Sequence, residues 1–175
     1  MDILRRLAAA DLQAILTIQQ ASPEAAQWLG AEWQVFFAPG EVLESAKLSV
    51  GHCVWVAEID SATMGFLAAL FSGEEIEILN LAVLPAARRA RVASSLLEAA
   101  MAAARSSGGK RAFLEVRASN AGAIAFYEGQ GFLPAGRRIA YYAAPVEDAL
   151  VFSRGLLRDD KQSRDFGLIP LAGLC

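Results

Sequence analysis

The strongest constraint in this sequence is a change of period at one proline. Ile76–Val83 (Ile-Glu-Ile-Leu-Asn-Leu-Ala-Val) reads as a strand, and Pro85 then forbids the ladder from continuing. Beyond it, Val92, Leu96, Leu97, Ala100, Met101 and Ala104 recur at the spacing of a helix face, about 3.6 residues per turn. Ser106-Ser107-Gly108-Gly109 should end that helix. A second strand follows at Ala112–Val116, after which Ser119 or Asn120 caps a helix running to Gly129 or Gly131. An order of strand, helix, strand, helix demands a parallel pair joined by a right-handed crossover.

The first half of the chain demands the opposite. Cys53–Ile59 and Gly65–Phe71 are β-like runs separated by Asp60-Ser61-Ala62-Thr63, which suits a hairpin and hence antiparallel pairing. Ahead of them, Met1–Leu7 is an edge-strand candidate. Ala8–Gln20 carries Leu12, Ile15, Leu16 and Ile18 at helical spacing, with Asp11 placed to suit the positive end of the helix dipole. Pro23–Phe37, with Trp28, Trp33, Phe36 and Phe37, continues as short helices or a loop. Gly136–Tyr142 and Ala149–Arg154 form a closing hairpin around Ala143–Asp148. The expectation is one α/β domain over residues 1–154, with a mixed central sheet flanked by helices, and a tail over 155–175.

Composition narrows the function classes. At 175 residues and 18.6 kDa the chain has the size of one domain. Hydrophobic residues make up 55%, and the mean hydropathy is +0.35. Yet the longest uncharged stretch, Ser61–Gly73, falls well short of the ~20 residues of a membrane helix. Met1-Asp2-Ile3-Leu4-Arg5-Arg6 has no apolar run before its charges, so no signal peptide is expected, and the predicted location is the cytoplasm. A net charge of −3 and a pI near 5.2 argue against a dedicated nucleic-acid binder. Cys53 and Cys175 do not make a disulfide framework, and His52 lacks the spaced partners of a zinc site, so no metal is expected.

Three features could carry chemistry. Arg88-Arg89-Ala90-Arg91 leads from the strand end into a helix N-terminus, whose unpaired N–H groups and partial positive charge attract phosphate. Spacing alone allows a solvated basic turn as well. Glu115 is a carboxylate in an otherwise apolar strand. It is either a general base or a surface group that points to solvent or pairs with Arg117. Tyr127 lies seven residues after Asn120, two turns along one helical face, where it is either core packing or a proton donor.

Taken together, five segments resemble the GNAT acetyltransferase superfamily, and in their local wording its ribosomal-protein-alanine N-acetyltransferase (RimI type) branch. They are Leu79-Asn80-Leu81-Ala82-Val83, Arg88-Arg89-Ala90-Arg91-Val92-Ala93, Leu114-Glu115-Val116-Arg117-Ala118-Ser119-Asn120, Ala125-Phe126-Tyr127-Glu128-Gly129-Gln130-Gly131-Phe132, and Arg137-Arg138 with Tyr141-Tyr142 and Glu147-Asp148-Ala149. The resemblance implies a sheet splayed between two parallel strands, with acetyl-CoA held in the splay and a primary amine as acceptor. That amine would be the N-terminal α-amine of a protein, such as a ribosomal protein, or a small molecule. Leu81, Ala82 and Val83 would meet the pantetheine arm and its thioester carbonyl. Arg88, Arg89, Ala90, Arg91, Val92, Ala93 and Ser94 would cradle the pyrophosphate, and Asn120 would approach the pantetheine. Glu115 would be the base and Tyr127 the acid.

The chemistry asked of these groups is clear. An α-amino group has a pKa near about 8, so at neutral pH it arrives mostly as ammonium and must lose a proton before attack. A departing thiolate in turn accepts one. The sequence departs from the family at Arg91, which stands where the loop ordinarily has a glycine. A degenerate, non-catalytic module is therefore the alternative. Trp28, Trp33, Phe36, Tyr141 and Tyr142 either line an acceptor groove or pack the core. The tail ends in an apolar stretch, Phe166–Leu171, placed either on the surface, in the acceptor groove or at a dimer interface. Neither monomer nor homodimer is excluded.

Overall fold

The computed structural model describes residues 3–36 and 51–156, so Phe37 and the expectations for the tail lie outside it. Strands β1 (Ile3–Arg6), β2 (Gly51–Ile59), β3 (Ala62–Ser72), β4 (Glu75–Val83), β5 (Arg111–Arg117), β6 (Leu133–Ala143) and β7 (Val146–Gly155) form one sheet. Its order is β1-β2-β3-β4-β5-β7-β6. Every neighbouring pair is antiparallel except β4 with β5. The helices are α1 (Leu12–Gln20), α2 (Val92–Ser106) and α3 (Ala121–Gly129). The β2–β3 turn is tighter than its sequence suggests, because Asp60 and Ser61 both take positive φ (51° and 64°) and leave Ala62 and Thr63 to the strand.

α2 covers one face of the sheet, where Leu96, Leu97, Ala100 and Met101 pack against Leu67, Ile76, Ile78 and Leu114. Gly65 permits the close approach at its first turn, since a Cβ there would lie 3.0 Å from Val83 and 3.1 Å from Val92. On the other face Ile15 and Ile18 of α1 pack with Trp33, Val56, Phe66 and Ala82. Asp11 stands in the first helical turn, as its position in the sequence suggests, and also ties the helix to β1. It is 5% exposed, accepts the Ala8 N–H at 2.7 Å and binds Arg5 through both oxygens.

One irregularity positions everything that follows. Ala68 pairs with Asn80 but Ala69 pairs with Ile78, so Leu79 is an extra residue in β4. Before it Ile76 and Ile78 face α2, whereas after it Ala82 joins the α1 core. β4 and β5 pair only from Glu75↔Arg111 to Ile78↔Leu114, although β4 continues to Val83 and β5 to Arg117. The two parallel strands therefore part after Ile78. At the other end of the sheet, β7 lies between β5 and β6, and Leu156 is buried with its N–H on the Lys110 carbonyl at 2.9 Å.

Candidate active site

The parted strands open a cleft with two halves. One, of about 480 Å³, is bordered by Leu81, Ala82, Val83, Arg88, Arg89 and Ala93, with Phe126 of α3 opposite. The other, of about 530 Å³, is bordered by Ile78, Asn80, Glu115, Arg117, Tyr142 and Trp28. Glu24, Ala25, Leu81, Asn120, Ala123 and Tyr127 border both, so the halves meet at a neck between β4 and α3.

At the neck stands Tyr127, buried against Phe126 and Phe132 in edge-to-face contacts. Burial raises the pKa of its phenol well above the ordinary value, with Tyr142 adding to the shift. A phenol so placed stays protonated at neutral pH and keeps an O–H to donate. Asn120 is the N-cap of α3, its Oδ1 accepting the Ala123 N–H at 3.0 Å. Of the two cap candidates in the sequence, it is Asn120 rather than Ser119 that makes this bond.

Glu115 is neither solvent-directed nor paired with Arg117. Its Oε1 lies 2.5 Å from Nε of Arg138, which reaches across β7 from the edge strand, and the Tyr141 hydroxyl donates to the same carboxylate. Arg117 instead binds Glu147 at 3.2 Å and lies 4.0 Å over the Tyr142 ring. That hydrogen bond to Glu115 is the main cause raising the Tyr141 phenol, and burial is the main cause for Tyr142. On β4, burial and the neighbouring Glu115 raise the Glu77 carboxyl. Of these groups Glu115 and Tyr142 border the second half of the cleft, whereas Glu77 and Tyr141 do not.

The loop into α2 is where the sequence leaves the family pattern. Arg91 is the N-cap with φ 62° and ψ 8°, and Arg89 has φ 64°. The left-handed conformation that a glycine would supply freely is therefore present with arginine in its place, at a cost of about 1–2 kcal/mol. Arg89, Ala90 and Arg91 are exposed, and the first N–H groups of α2 lie beyond them without helical partners. Arg88 borders the cleft beside them but is engaged by the protein itself. Its guanidinium binds Ser22 Oγ at 3.2 Å, Glu24 at 2.6 Å and the Val83 carbonyl at 3.3 Å. Val92 is buried in the core and offers only backbone, and Ser94 Oγ accepts from Gln130 at 3.4 Å. A helix start with exposed arginines beside an apolar channel along Leu81–Val83 fits a molecule that joins an anionic phosphate end to an uncharged arm.

Some groups escaped the sequence reading. Glu24 and Ala25 lie in the segment whose structure had no readable period, and Asn80, buried with Nδ2 on the Ala26 carbonyl at 2.9 Å, gave no signal of its own. Trp33 is core, in contact with Trp28, Phe36 and Phe66, whereas Trp28 also reaches the cleft. Among the described residues no cluster of His, Cys, Asp or Glu could hold a metal ion, and no helix is long and apolar enough to cross a membrane.

Comparison with known proteins agrees with this geometry. The family model described as the acetyltransferase (GNAT) family matches residues 14–132. Over 155 residues the chain is 32% identical to the ribosomal protein bS18-alanine N-acetyltransferase of Salmonella typhimurium, a match that spans 87% of this chain and 97% of that protein. The crystal structure of the ribosomal-protein-S18-alanine N-acetyltransferase from Escherichia coli superposes with a TM-score of 0.73 at 26% identity, covering 94% of this chain and 100% of the other. Arabidopsis thaliana NAA60, crystallised in complex with acetyl-CoA, shares the fold with a TM-score of 0.71 at 17% identity, over 87% of this chain and 97% of its own.

Proposed function

Because this chain belongs to the GNAT family of acetyltransferases, we propose that it acetylates the N-terminal α-amine of a protein, with a ribosomal protein of the kind its relatives modify as the acceptor. As a member of that family it is an acetyl-CoA-dependent N-acetyltransferase. An acceptor of this sort places the reaction in the cytoplasm. The observation that carries the proposal is the neck, where Tyr127 and Leu81 border both halves of the cleft while Glu115 borders only one. A donor and an acceptor entering from opposite halves meet there.

Acetyl-CoA, when bound, supplies an activated acetyl group as a thioester. Leu81, Ala82 and Val83 would hold its arm, with a backbone N–H near Ala82 or Val83 polarising the carbonyl. Arg89, Ala90, Arg91, Ala93 and Ser94, with the N–H groups at the start of α2, would hold the phosphates. Arg88 contributes by fastening Ser22 and Glu24 to the end of β4. Glu115 takes the proton of the arriving ammonium, directly or through one water. Tyr127, kept protonated by burial, returns a proton to the departing sulfur. Arg91 takes the left-handed conformation that a glycine would supply, which supports an enzyme over a degenerate module.

The test is thiol release from acetyl-CoA with an alanine-starting peptide, the same peptide with a blocked N-terminus, and a small polyamine. We expect release only with the free peptide N-terminus. Release with the polyamine alone would move the acceptor to small molecules, and calorimetry showing no acetyl-CoA binding would overturn the enzyme.

A further inference from the structure

β6 is the sheet edge, and in it three residues, Ile139, Ala140 and Tyr141, stand opposite Asp148 alone, between the pairs Arg138↔Ala149 and Tyr142↔Glu147. In a regular strand Arg138 and Tyr141, three apart, would project to opposite faces. The bulge brings both to Glu115. Ala140 takes positive φ (50°) to make it, and its N–H is held by Asp148 Oδ1 at 2.7 Å. Asp148 also accepts from Arg137 Nε at 2.6 Å, which keeps the Asp148 carboxyl below its ordinary pKa together with the Ala140 bond.

The outcome is an asymmetric grip on one carboxylate. Glu115 is 15% exposed and Arg138 60%, so the arginine approaches from the outer rim. Arg138 and Tyr141 do not border the cleft, whereas Glu115 does. The partners thus hold Glu115 from outside, with Oε1 of the carboxylate taken by Arg138. Arg138 also lies 5.5 Å over the Tyr141 ring, so the two partners brace each other.

We propose that Arg138, delivered by the Asp148-clamped bulge, is a positioning residue that orients Glu115 toward the acceptor amine, and that this bulge is a working part of the acceptor site. The proposal rests on the role given to Glu115 above. It assigns Arg138 a function through Glu115, with no contact to the acetyl donor.

The experiment compares wild type, Arg138→Gln, Arg138→Lys and Asp148→Ala with two acceptors. One is an alanine-starting peptide, an ammonium at neutral pH. The other begins with an aminooxyacetyl group, which is already neutral there, so no proton need be removed before attack and the one lost afterwards passes to the departing thiolate. With the alanine peptide, Arg138→Gln and Asp148→Ala should lower kcat about tenfold with a smaller change in KM, the loss expected when a reacting group is misplaced. Arg138→Lys should recover most of the loss, and with the aminooxy peptide all four proteins should agree within about twofold. Wild-type kcat in Arg138→Gln, or an equal loss with both acceptors, overturns the inference while leaving the acetyltransferase reading intact. A wild type that turns over neither peptide overturns that reading and this inference with it.

Discussion

The proton-donor role proposed for Tyr127 rests on where its side chain is held. Tyr127 sits where β4 and α3 border both halves of the cleft, and its burial between Phe126 and Phe132 removes water from the phenol without removing its access to the cleft. Burial raises its pKa, so the phenol keeps its proton and, in the proposed reaction, offers the departing sulfur a hydrogen bond through which that proton can pass. Tyr127→Phe deletes that proton and almost nothing else. We expect kcat to fall about a hundredfold with coenzyme affinity unchanged, read from thiol release and from calorimetric titration; undiminished kcat would remove the phenol from the reaction. Tyr127 and Glu115 were legible in the sequence because each sits in a short, distinctive run. Arg138 was visible only as part of such a run, and its pairing with Glu115 was not, because the contact crosses β7 from the edge of the sheet and depends on a bulge. Nothing local in Arg-Arg-Ile-Ala-Tyr-Tyr fixes that register.

At the scale of elements, the parallel pair and the crossover were readable from the switch of period at Pro85, since a proline and a change of spacing are local facts. The splay was not readable from period, because it arises from one extra residue, Leu79, that leaves the apolar pattern of β4 looking continuous. The junction of β1 with α1 was legible only in part, for a related reason. Asp11 stands in the first helical turn as its position suggests, but its contact with β1 was not visible, and Arg5 together with the Ala8 N–H holds the Asp11 carboxyl below its ordinary pKa. A depressed carboxyl stabilises the fold above the unfolded pKa of about 3.9 and loses that contribution as pH falls through the lower, folded value. Asp11→Asn should therefore cost about 2 kcal/mol in urea unfolding at neutral pH. The difference from wild type should shrink below about pH 4, where the native aspartate also takes up a proton. A deficit that stays constant down to the lowest pH at which both proteins fold would show that packing, not charge, joins β1 to α1.

For the whole molecule, the decisive property is that two clefts are one. A donor channel alone would bind coenzyme and an acceptor groove alone would bind peptide, but transfer requires the neck between them to be open to two reacting atoms about 3–3.5 Å apart. Ala123 borders both halves from the first turns of α3, and its small side chain is part of what keeps the passage open. Its N–H, not its side chain, receives the Asn120 cap, so lengthening the side chain leaves the helix start in place. Ala123→Leu should therefore separate two measurements that are ordinarily linked. Coenzyme A, whose phosphates are proposed to sit at the start of α2, should bind within a fewfold of wild type in calorimetry. Acetyl transfer to the alanine-starting peptide should fall by about tenfold or more, because the obstruction lies where the reacting atoms meet. If binding and transfer fall together, the neck is part of the coenzyme site. If neither falls, the two halves communicate by another route, and the geometry assigned to Tyr127 must be redrawn.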